Sequence, residues 1–378
     1  MTSGASIPLW WTDGWVLMRS QSSAENSSRW HSYDRSQLIP AVRGPHMLTT
    51  VAAGRVYDYS HCIGMYSQSG QGFWTPQDFV LGKNGRVYVL SRGVEQLGQR
   101  ISKINLESEF QGQFGSFGGE DGRFIWPRSL DLDHDGRVFV SDEYSNRISV
   151  FDPEGAFRYH WGRTGSGQGE LNGPSGLAFD SNDNIWVVDS MNHRAQRFSS
   201  TGEFQLGFGQ QGANDGQLEM PWGIFIDRQD DIYIADWGNN RVQKFSPTGE
   251  LLVKFEESST GVGSLKGPSG VAVDSDGDVY VTDWGNHRVQ IYDTDGQYIT
   301  ALVGDAQQPS PWTQTYIDAN PEYIKARRRA DMEPEWRFRR PVAVNVDADD
   351  RIIVLESYRH RLQIYNKLKD YEEHSLNL

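Results

Sequence analysis

At five equivalent points of a recurring pattern in the 378-residue chain, an acidic residue is followed five positions later by an arginine. The pairs are Asp142 with Arg147, Asp189 with Arg194, Asp236 with Arg241, Asp283 with Arg288, and Glu356 with Arg361. A carboxylate beside a cation can serve in acid–base chemistry, but a catalytic pair is needed once, whereas this pair recurs. We therefore interpret the pairs as structural ion pairs or hydrogen-bond braces that hold loops.

Histidines recur in the same pattern, at His193, His287 and His360. Zinc needs about three such ligands at one point, but the pattern distributes these histidines over three separate units. The stretches 131–136 and 274–278 superficially resemble calcium loops, and tight hairpin turns explain both better. In the first stretch, for example, the place of the usual glutamate is taken by Asp142. The sequence therefore predicts no metal site and no cofactor from these residues.

The pattern that contains these residues is a repeat of about 47 residues. Each unit begins with a proline, and these are Pro76, Pro127, Pro174, Pro221, Pro268 and Pro341. A unit has the pattern of four short strands joined by tight turns. One such sheet cannot bury both of its faces, whereas six sheets stacked around an axis can. We predict an all-β fold, a six-bladed β-propeller.

The two ends of the repeat predict how the ring closes. The sixth unit lacks an outermost strand, and the segment Gly54–Gly64 has the pattern of one. We predict that this segment completes the last blade and removes the free edges of an open ring. The predicted domains are a poorly ordered N-terminal extension over 1–50, a propeller over 51–368, a helical insertion over 305–340 before blade six, and a charged tail over 369–378.

Three loops share a short signature. Asn192–Phe198 reads NHRAQRF, Asn239–Phe245 reads NNRVQKF and Asn286–Tyr292 reads NHRVQIY. These segments resemble the NHL repeat, which implies an NHL-type six-bladed propeller. The family that the resemblance points to includes scaffolds, RNA-binding proteins and an enzyme, so it indicates the fold more narrowly than the function.

The enzyme in the resembling group is the peptidyl-α-hydroxyglycine α-amidating lyase, which holds zinc with histidines placed directly after the blade prolines. The residues in these places here are Gln77, Arg128, Ser175, Trp222, Ser269 and Val342, and none is a histidine. The resemblance therefore argues against a zinc lyase of that design, although Tyr144 and Arg92 match a tyrosine and an arginine of that enzyme.

Net charge and cysteine content limit which partners and which cellular compartment are expected. The formal net charge of −14 repels a phosphate backbone, so nucleic-acid binding is disfavoured. Cys62 is the only cysteine, which excludes an intrachain disulfide and fits a reducing compartment. The start of the chain has no signal-peptide pattern, and no apolar stretch is long enough for a membrane span. We expect a cytoplasmic monomer that does not contact a membrane.

Seven large side chains fall where blade entries and second-to-third-strand loops should meet on one face of the ring. They are Arg92, Arg128, Tyr144, Trp222, Trp237, Trp284 and Tyr358. Aromatic and arginine side chains are the usual anchors of a recognition surface. We predict that they bind a protein segment or a small-molecule ligand, and packing of the tryptophans against neighbouring blades is the alternative.

The leading hypothesis is a binding or scaffold module, because no unique nucleophile, metal cluster or phosphate loop stands out and no catalytic residue can be named. A divergent propeller lyase or hydrolase, with a divalent cation near Asp78 in the channel, is the first alternative. RNA binding is the second alternative, with slight support from the basic stretch Lys325–Arg329.

Overall fold

The computed structural model describes residues 49–256 and 263–368. These residues form six antiparallel sheets, with a few short helices between the fifth and sixth blades. The predicted extension over 1–50 lies outside the described residues except for its last two positions, and so does the predicted tail over 369–378. No helix in the described ranges combines the length and the apolar character needed to cross a membrane.

The sheets succeed one another along the chain, so that each repeat unit is one blade. Blade one contains β3 (Pro76–Leu81), β4 (Arg86–Ser91), β5 (Arg100–Asn105) and β6 (Phe110–Phe114); blade two β7 (Pro127–Leu132), β8 (Val138–Asp142), β9 (Arg147–Phe151) and β10 (Phe157–Trp161); blade three β11 (Pro174–Phe179), β12 (Ile185–Asp189), β13 (Arg194–Phe198) and β14 (Phe204–Phe208). Blade four contains β15 (Ile224–Ile226), β16 (Ile232–Asp236), β17 (Arg241–Phe245) and β18 (Leu251–Phe255); blade five β19 (Pro268–Val273), β20 (Val279–Asp283), β21 (Arg288–Tyr292) and β22 (Tyr298–Leu302). Blade six contains β23 (Pro341–Val346), β24 (Arg351–Glu356) and β25 (Arg361–Leu368), followed outward by β2 (Arg55–Ile63) and β1 (Thr49–Ala52).

Apolar side chains from neighbouring blades form the core. The buried residues fall into six clusters, and each cluster combines two adjacent blades. The cluster between blades three and four, for example, contains Trp186 and Ala195 from one sheet and Ile232 and Phe245 from the next. Because every sheet needs a neighbour on each side to bury its faces, the stack is stable only as a ring.

An N-terminal strand closes the ring, as predicted. β2 pairs antiparallel with β25, with Tyr59 opposite Tyr365. β1, which the sequence did not predict, pairs outside β2 as a fifth strand. Lys367 of β25 ties the closing blade to blade five, because its Nζ lies 2.5 Å from Asp274 and 2.9 Å from Asp278.

The loop between the second and third strands of a blade, here called its tip, fastens that blade to the next one. In five blades the tip contains an asparagine or histidine with left-handed backbone, at φ between 51° and 58°. Its side chain accepts a hydrogen bond from a backbone N–H at the entry of the following blade. The pairs are Asn146 with Gly173, His193 with Met220, Asn240 with Gly267, His287 with Arg340, and His360 with Thr75. The three tip histidines therefore hold three different blade junctions.

Three helices occupy the predicted insertion before blade six: α1 (Pro311–Asp318), α2 (Pro321–Arg327) and α3 (Glu333–Trp336). Ser310 caps α1, and its hydroxyl donates to the carbonyl of Gly64 at the end of β2. Trp312 packs into the cluster between blades six and one, and its Nε1–H donates to the carbonyl of Ser108 at 2.7 Å. The insertion is thus anchored along the outside of the closing blade.

His360 should make the ring sensitive to acid. Burial lowers its pKa from 6.5 to about 4. Between these two pH values His360 is therefore protonated in the unfolded chain and neutral in the folded chain. The contribution of His360 is therefore complete above pH 6.5 and is lost as the pH falls toward 4, by about 2 kcal/mol after allowance for partial exposure. Asn146 and Asn240 accept the equivalent hydrogen bond at their junctions, and an asparagine side chain does not titrate. His360→Asn should therefore be more stable than wild type near pH 4 and similar at pH 8.

Urea unfolding curves at several pH values measure this difference. The control is His160→Asn, because His160 is partly exposed beside Asp121 on an outer strand and makes no junction bond. Equal losses of unfolding free energy for wild type and His360→Asn between pH 6.5 and 4 would contradict the assignment.

Candidate functional site at the top mouth of the channel

The inner strands begin on the face that carries the tips, here called the top face. Five of the six residues that directly follow the blade prolines line the central channel at its mouth, and they are Gln77, Arg128, Trp222, Ser269 and Val342. The sixth, Ser175, is fully buried, and its hydroxyl contacts Ser190 and the carbonyl of Trp222. Below them the channel forms a cavity of about 600 Å³, lined by the inner strands of all six blades. Large side chains stand at the mouth on blades one, two and four, whereas serine or valine occupies the same place on the other three.

Arg128 lies at the centre of this mouth. Its guanidinium carbon is 3.8 Å from the ring centroid of Trp222, and Nη1 donates to Oε1 of Gln77 at 2.5 Å. Burial lowers the pKa of Arg128, and Glu143, 3.5 Å from Nε, partly offsets this effect. Arg128 belongs to blade two and Trp222 to blade four, so their stack crosses the mouth over the small serine of blade three.

Glu143 joins the two predicted arginines. Its carboxylate lies 3.2 Å from Arg92 and 3.5 Å from Arg128, with about a tenth of its side chain exposed. Arg92 also lies over the ring of Trp126, at 5.3 Å, and that ring contacts Tyr144 edge to face. The buried carboxylate therefore holds two cations and positions an aromatic pair at the mouth.

The three predicted tryptophans form the opposite side. Trp222 and Trp237 lie with their ring centroids 5.1 Å apart at an interplanar angle of 30°, and Trp284 meets Trp222 edge to face at 6.4 Å. Six of the seven predicted site residues thus belong to one connected group. Tyr358 stands apart at the tip of blade six, where the guanidinium of Arg339 stacks on its ring at 3.8 Å.

Several residues of this site were missed by the sequence analysis: Gln77, Trp126, Glu143, Arg339 and Arg340. Trp126 and Arg340 directly precede blade prolines, and Gln77 directly follows one, so the position in the repeat was an available signal. Glu143 directly follows the recurring acid Asp142, but in blades three to six the recurring acid is followed by serine or tryptophan. The repeat pattern therefore gave no reason to single out Glu143.

Four of the tips carry strongly exposed apolar side chains. Among the described residues, the large apolar side chains that are strongly exposed include Val94 and Leu97 at the tip of blade one, Tyr144 of blade two, Met191 of blade three and Tyr358 of blade six. Trp237 and Trp284 supply the tips of blades four and five and are half-buried. Every blade therefore contributes an apolar group to the rim of the same mouth.

Two carboxyl groups face the channel below the mouth. Asp78 accepts hydrogen bonds from the hydroxyl of Ser129 and the backbone N–H of Leu130, and burial raises its pKa to about 6. Asp131 accepts from two backbone N–H groups, and burial raises its pKa to about 7. Groups that exchange protons near neutral pH are suited to acid–base chemistry. Within the described ranges, no three histidine, cysteine or acidic side chains are grouped as metal ligands.

The recurring acid–arginine pairs lie under the tips, away from the channel. Four of the five pairs form, with distances of 2.9, 2.9, 2.8 and 2.6 Å in blades three to six. The pair predicted between Asp142 and Arg147 does not form. Arg147 instead donates to backbone carbonyls of the preceding loop, and Asp142 accepts backbone N–H groups. In each blade the acid holds the loop that enters it, which is a structural role.

Three segments, 218–245, 265–292 and 338–365, match the NHL repeat family. The chain carries NHL repeats. Residues 129–205 match a second family, described as a 6-bladed beta-propeller. The matched NHL segments are the entries, tips and first three strands of blades four to six. The resemblance to the NHL repeat that the tip sequences suggested is confirmed.

No curated protein sequence matches the chain. Solved structures similar to this NHL propeller include a Bacteroides thetaiotaomicron protein of unknown function, with 18% identity, a TM-score of 0.57 and coverage of 83% of this chain and 76% of that one. Virginiamycin B lyase from Staphylococcus aureus has 14% identity, a TM-score of 0.51 and coverage of 84% and 90%. A streptogramin B lyase has 12% identity, a TM-score of 0.52 and coverage of 84% and 100%. Identities this low establish the shared fold alone.

The bridge made by Glu143 can be tested by Glu143→Gln. Removal of the charge leaves the buried Arg128 without its carboxylate, and we expect the unfolding free energy to fall by about 2–4 kcal/mol. Glu154→Gln is the matched control, because Glu154 also joins two cations but its side chain is 71% exposed, and little change is expected there. Urea titration of both variants checks this, and a Glu143→Gln protein as stable as the control would refute the role of the bridge.

Proposed function

We propose that this NHL propeller is a recognition module whose top face binds a protein segment or a small ligand. The observation that supports the proposal best is the rim itself, where four tips expose large apolar side chains and two carry half-buried tryptophans. Exposed apolar groups gathered in this way are typical of interaction sites. These tips stand on a rigid ring.

The rim has the chemistry of a binding site that is ready before the ligand arrives. Tyrosine and tryptophan give large contact areas and lose little side-chain entropy when they bind. The stack of Arg128, Trp222 and Trp237 already fixes three of these groups, so a ligand would not have to order them.

Two exposed rim tyrosines test the proposal. Peptides selected from a random twelve-residue display library on the immobilised protein should bind about ten-fold more weakly to Tyr144→Ser and to Tyr358→Ser, as expected for anchor residues. Fluorescence anisotropy with the selected peptides measures the affinities. Melting temperatures should be unchanged, since both side chains are about half exposed.

Tyr316→Ser is the control for these variants. Tyr316 lies on α1 and is as exposed as Tyr144, at 54% against 56%. Binding that is lost equally in the control, or retained in both rim variants, would place the peptide site elsewhere and defeat the proposal.

A divergent lyase is the second candidate, and one observation favours it: Asp78 has a pKa near neutrality and lies below a mouth that could hold a substrate. In this scheme the Asp78 carboxylate takes a proton from the substrate as general base, a double bond forms, and the bond from the adjacent atom to the leaving group breaks. Arg128 stabilises the negative charge that develops on the leaving group. One of the similar folds is a virginiamycin B lyase solved with quinupristin, which makes quinupristin a reasonable first substrate to try.

The pH dependence tests this candidate. Because the base acts in its ionised form and its pKa is about 6, turnover should rise between pH 5 and 7 and then level off. Asp78→Asn should abolish turnover at every pH, whereas Asp135→Asn should not, because Asp135 is an exposed acid in the turn between β7 and β8. Product analysis by mass spectrometry measures the rate, and turnover that survives in Asp78→Asn would remove Asp78 from the mechanism.

A further inference from the structure

Three cations lie together on one sector of the top face, at the entries to blades five and six. They are Lys266, Arg339 and Arg340, here called the cationic sector. Arg340 stacks on the ring of Trp284 at 4.6 Å, and Arg339 stacks on Tyr358 at 3.8 Å. Cations and aromatic rings therefore alternate along this part of the rim.

None of these three cations has a carboxylate within 4 Å among the residues that the structure describes, whereas most other lysines and arginines in the same ranges are ion-paired. The contrast is notable because the chain has 50 acidic and 36 basic residues. His287, between the two blades, responds to the uncompensated charge. Its pKa is lowered first by burial and then by Arg340, Arg339 and Lys266, and Asp283 offsets part of this effect. The sector is thus a positive region on an acidic protein.

Arg340 is also held in a conformation that does not favour a large side chain. Its φ is +54°, directly before Pro341. The same position is filled by glycine in blades three and five, as Gly173 and Gly267, with φ of 64° and 58°. A side chain in left-handed backbone costs about 1 kcal/mol relative to glycine. Blades one and four place Thr75 and Met220 in the same position, with φ of 44° and 47°. The fold therefore accepts either kind of residue here, and glycine at position 340 would remove the guanidinium without backbone strain.

We infer that the cationic sector receives the carboxylates of an acidic peptide segment whose aromatic side chains contact Trp284 and Tyr358. This inference rests on the proposed recognition function and names its ligand class. A peptide suits the sector because its side chains can alternate between carboxylate and ring, as the cations and rings do here. Nucleic acid suits it less, because the net charge of −14 opposes a polyanionic backbone along the rest of the surface.

A random copolymer of glutamate and tyrosine is a suitable probe, with neutral glutamine–tyrosine peptides and polylysine for comparison. The intrinsic tryptophan fluorescence of the rim reports binding. We expect the glutamate–tyrosine copolymer to bind the wild-type protein and polylysine not to bind at this face. Raised salt should weaken binding, since the contacts are ionic and exposed.

The decisive variant is Arg339→Gln combined with Arg340→Gly. It removes two cations and relieves the left-handed strain, so the protein should be at least as stable as wild type. Its affinity for the copolymer should fall about ten-fold. Met220→Gly makes the same backbone change at the entry to blade four without a change of charge, and Arg158→Gln removes an exposed charge from an outer strand of blade two. Both controls should bind as wild type does.

The outcomes separate the two proposals. Copolymer binding that the double variant retains overturns the acidic-ligand inference and leaves the recognition function in place. Neutral library peptides that bind at Tyr144 and Tyr358, in the absence of copolymer binding, do the same. If neither the copolymer nor any library peptide binds, the recognition function fails as well. Tighter binding of an RNA oligonucleotide that the double variant loses would overturn the assignment to a peptide.

Discussion

Each sheet of this protein has two apolar faces, and this constraint governs the rest of the structure. Among the described residues every core cluster combines two adjacent blades, so a blade alone would leave one or both faces in water. The sheets can become dry only in a closed circle, and the circle closes only because β2 pairs with β25 of the last blade. Lys367 forms ion pairs with Asp274 and Asp278, and these three buried side chains strengthen the closure.

The loops that fasten the blades are also the loops that form the site. A tip places one side chain in left-handed backbone, where it accepts a hydrogen bond from the next entry, and the residues just before it project into the rim. In blade four the bond of Asn240 to Gly267 and the position of Trp237 come from the same four-residue turn. Because the fastening keeps each tip fixed, the rim side chains have defined positions without help from a ligand.

Much of this arrangement was accessible from the sequence, since a repeat reports both the strands and their number. The six blades, the closing strand, the insertion and the face that collects Arg128 and Trp222 all follow from where the prolines and tips fall. Contacts that occur once were not accessible. Glu143 between two arginines and the backbone of Arg340 depend on how two particular blades meet, and periodicity carries no such information. The repeat also misled at one point. It predicted an ion pair between Asp142 and Arg147, but in this blade both side chains bond backbone groups of the neighbouring loops.

Blade one departs from the other five in a way that affects the whole ring. Its longer tip supplies no left-handed asparagine or histidine to the entry of blade two, where the N–H of Trp126 donates to Asp142 of its own blade. Arg92 connects the two blades instead, because it pairs with Glu143 and lies over the ring of Trp126. Glu154 holds the outer side of this junction through ion pairs with Arg86 and Lys103, and the Glu154 side chain is largely exposed to solvent. The junction between blades one and two is therefore held by ion pairs where the other five use a hydrogen bond from a tip side chain. Its outer pairs are open to counterions, so this junction should loosen more than the others as the ionic strength rises.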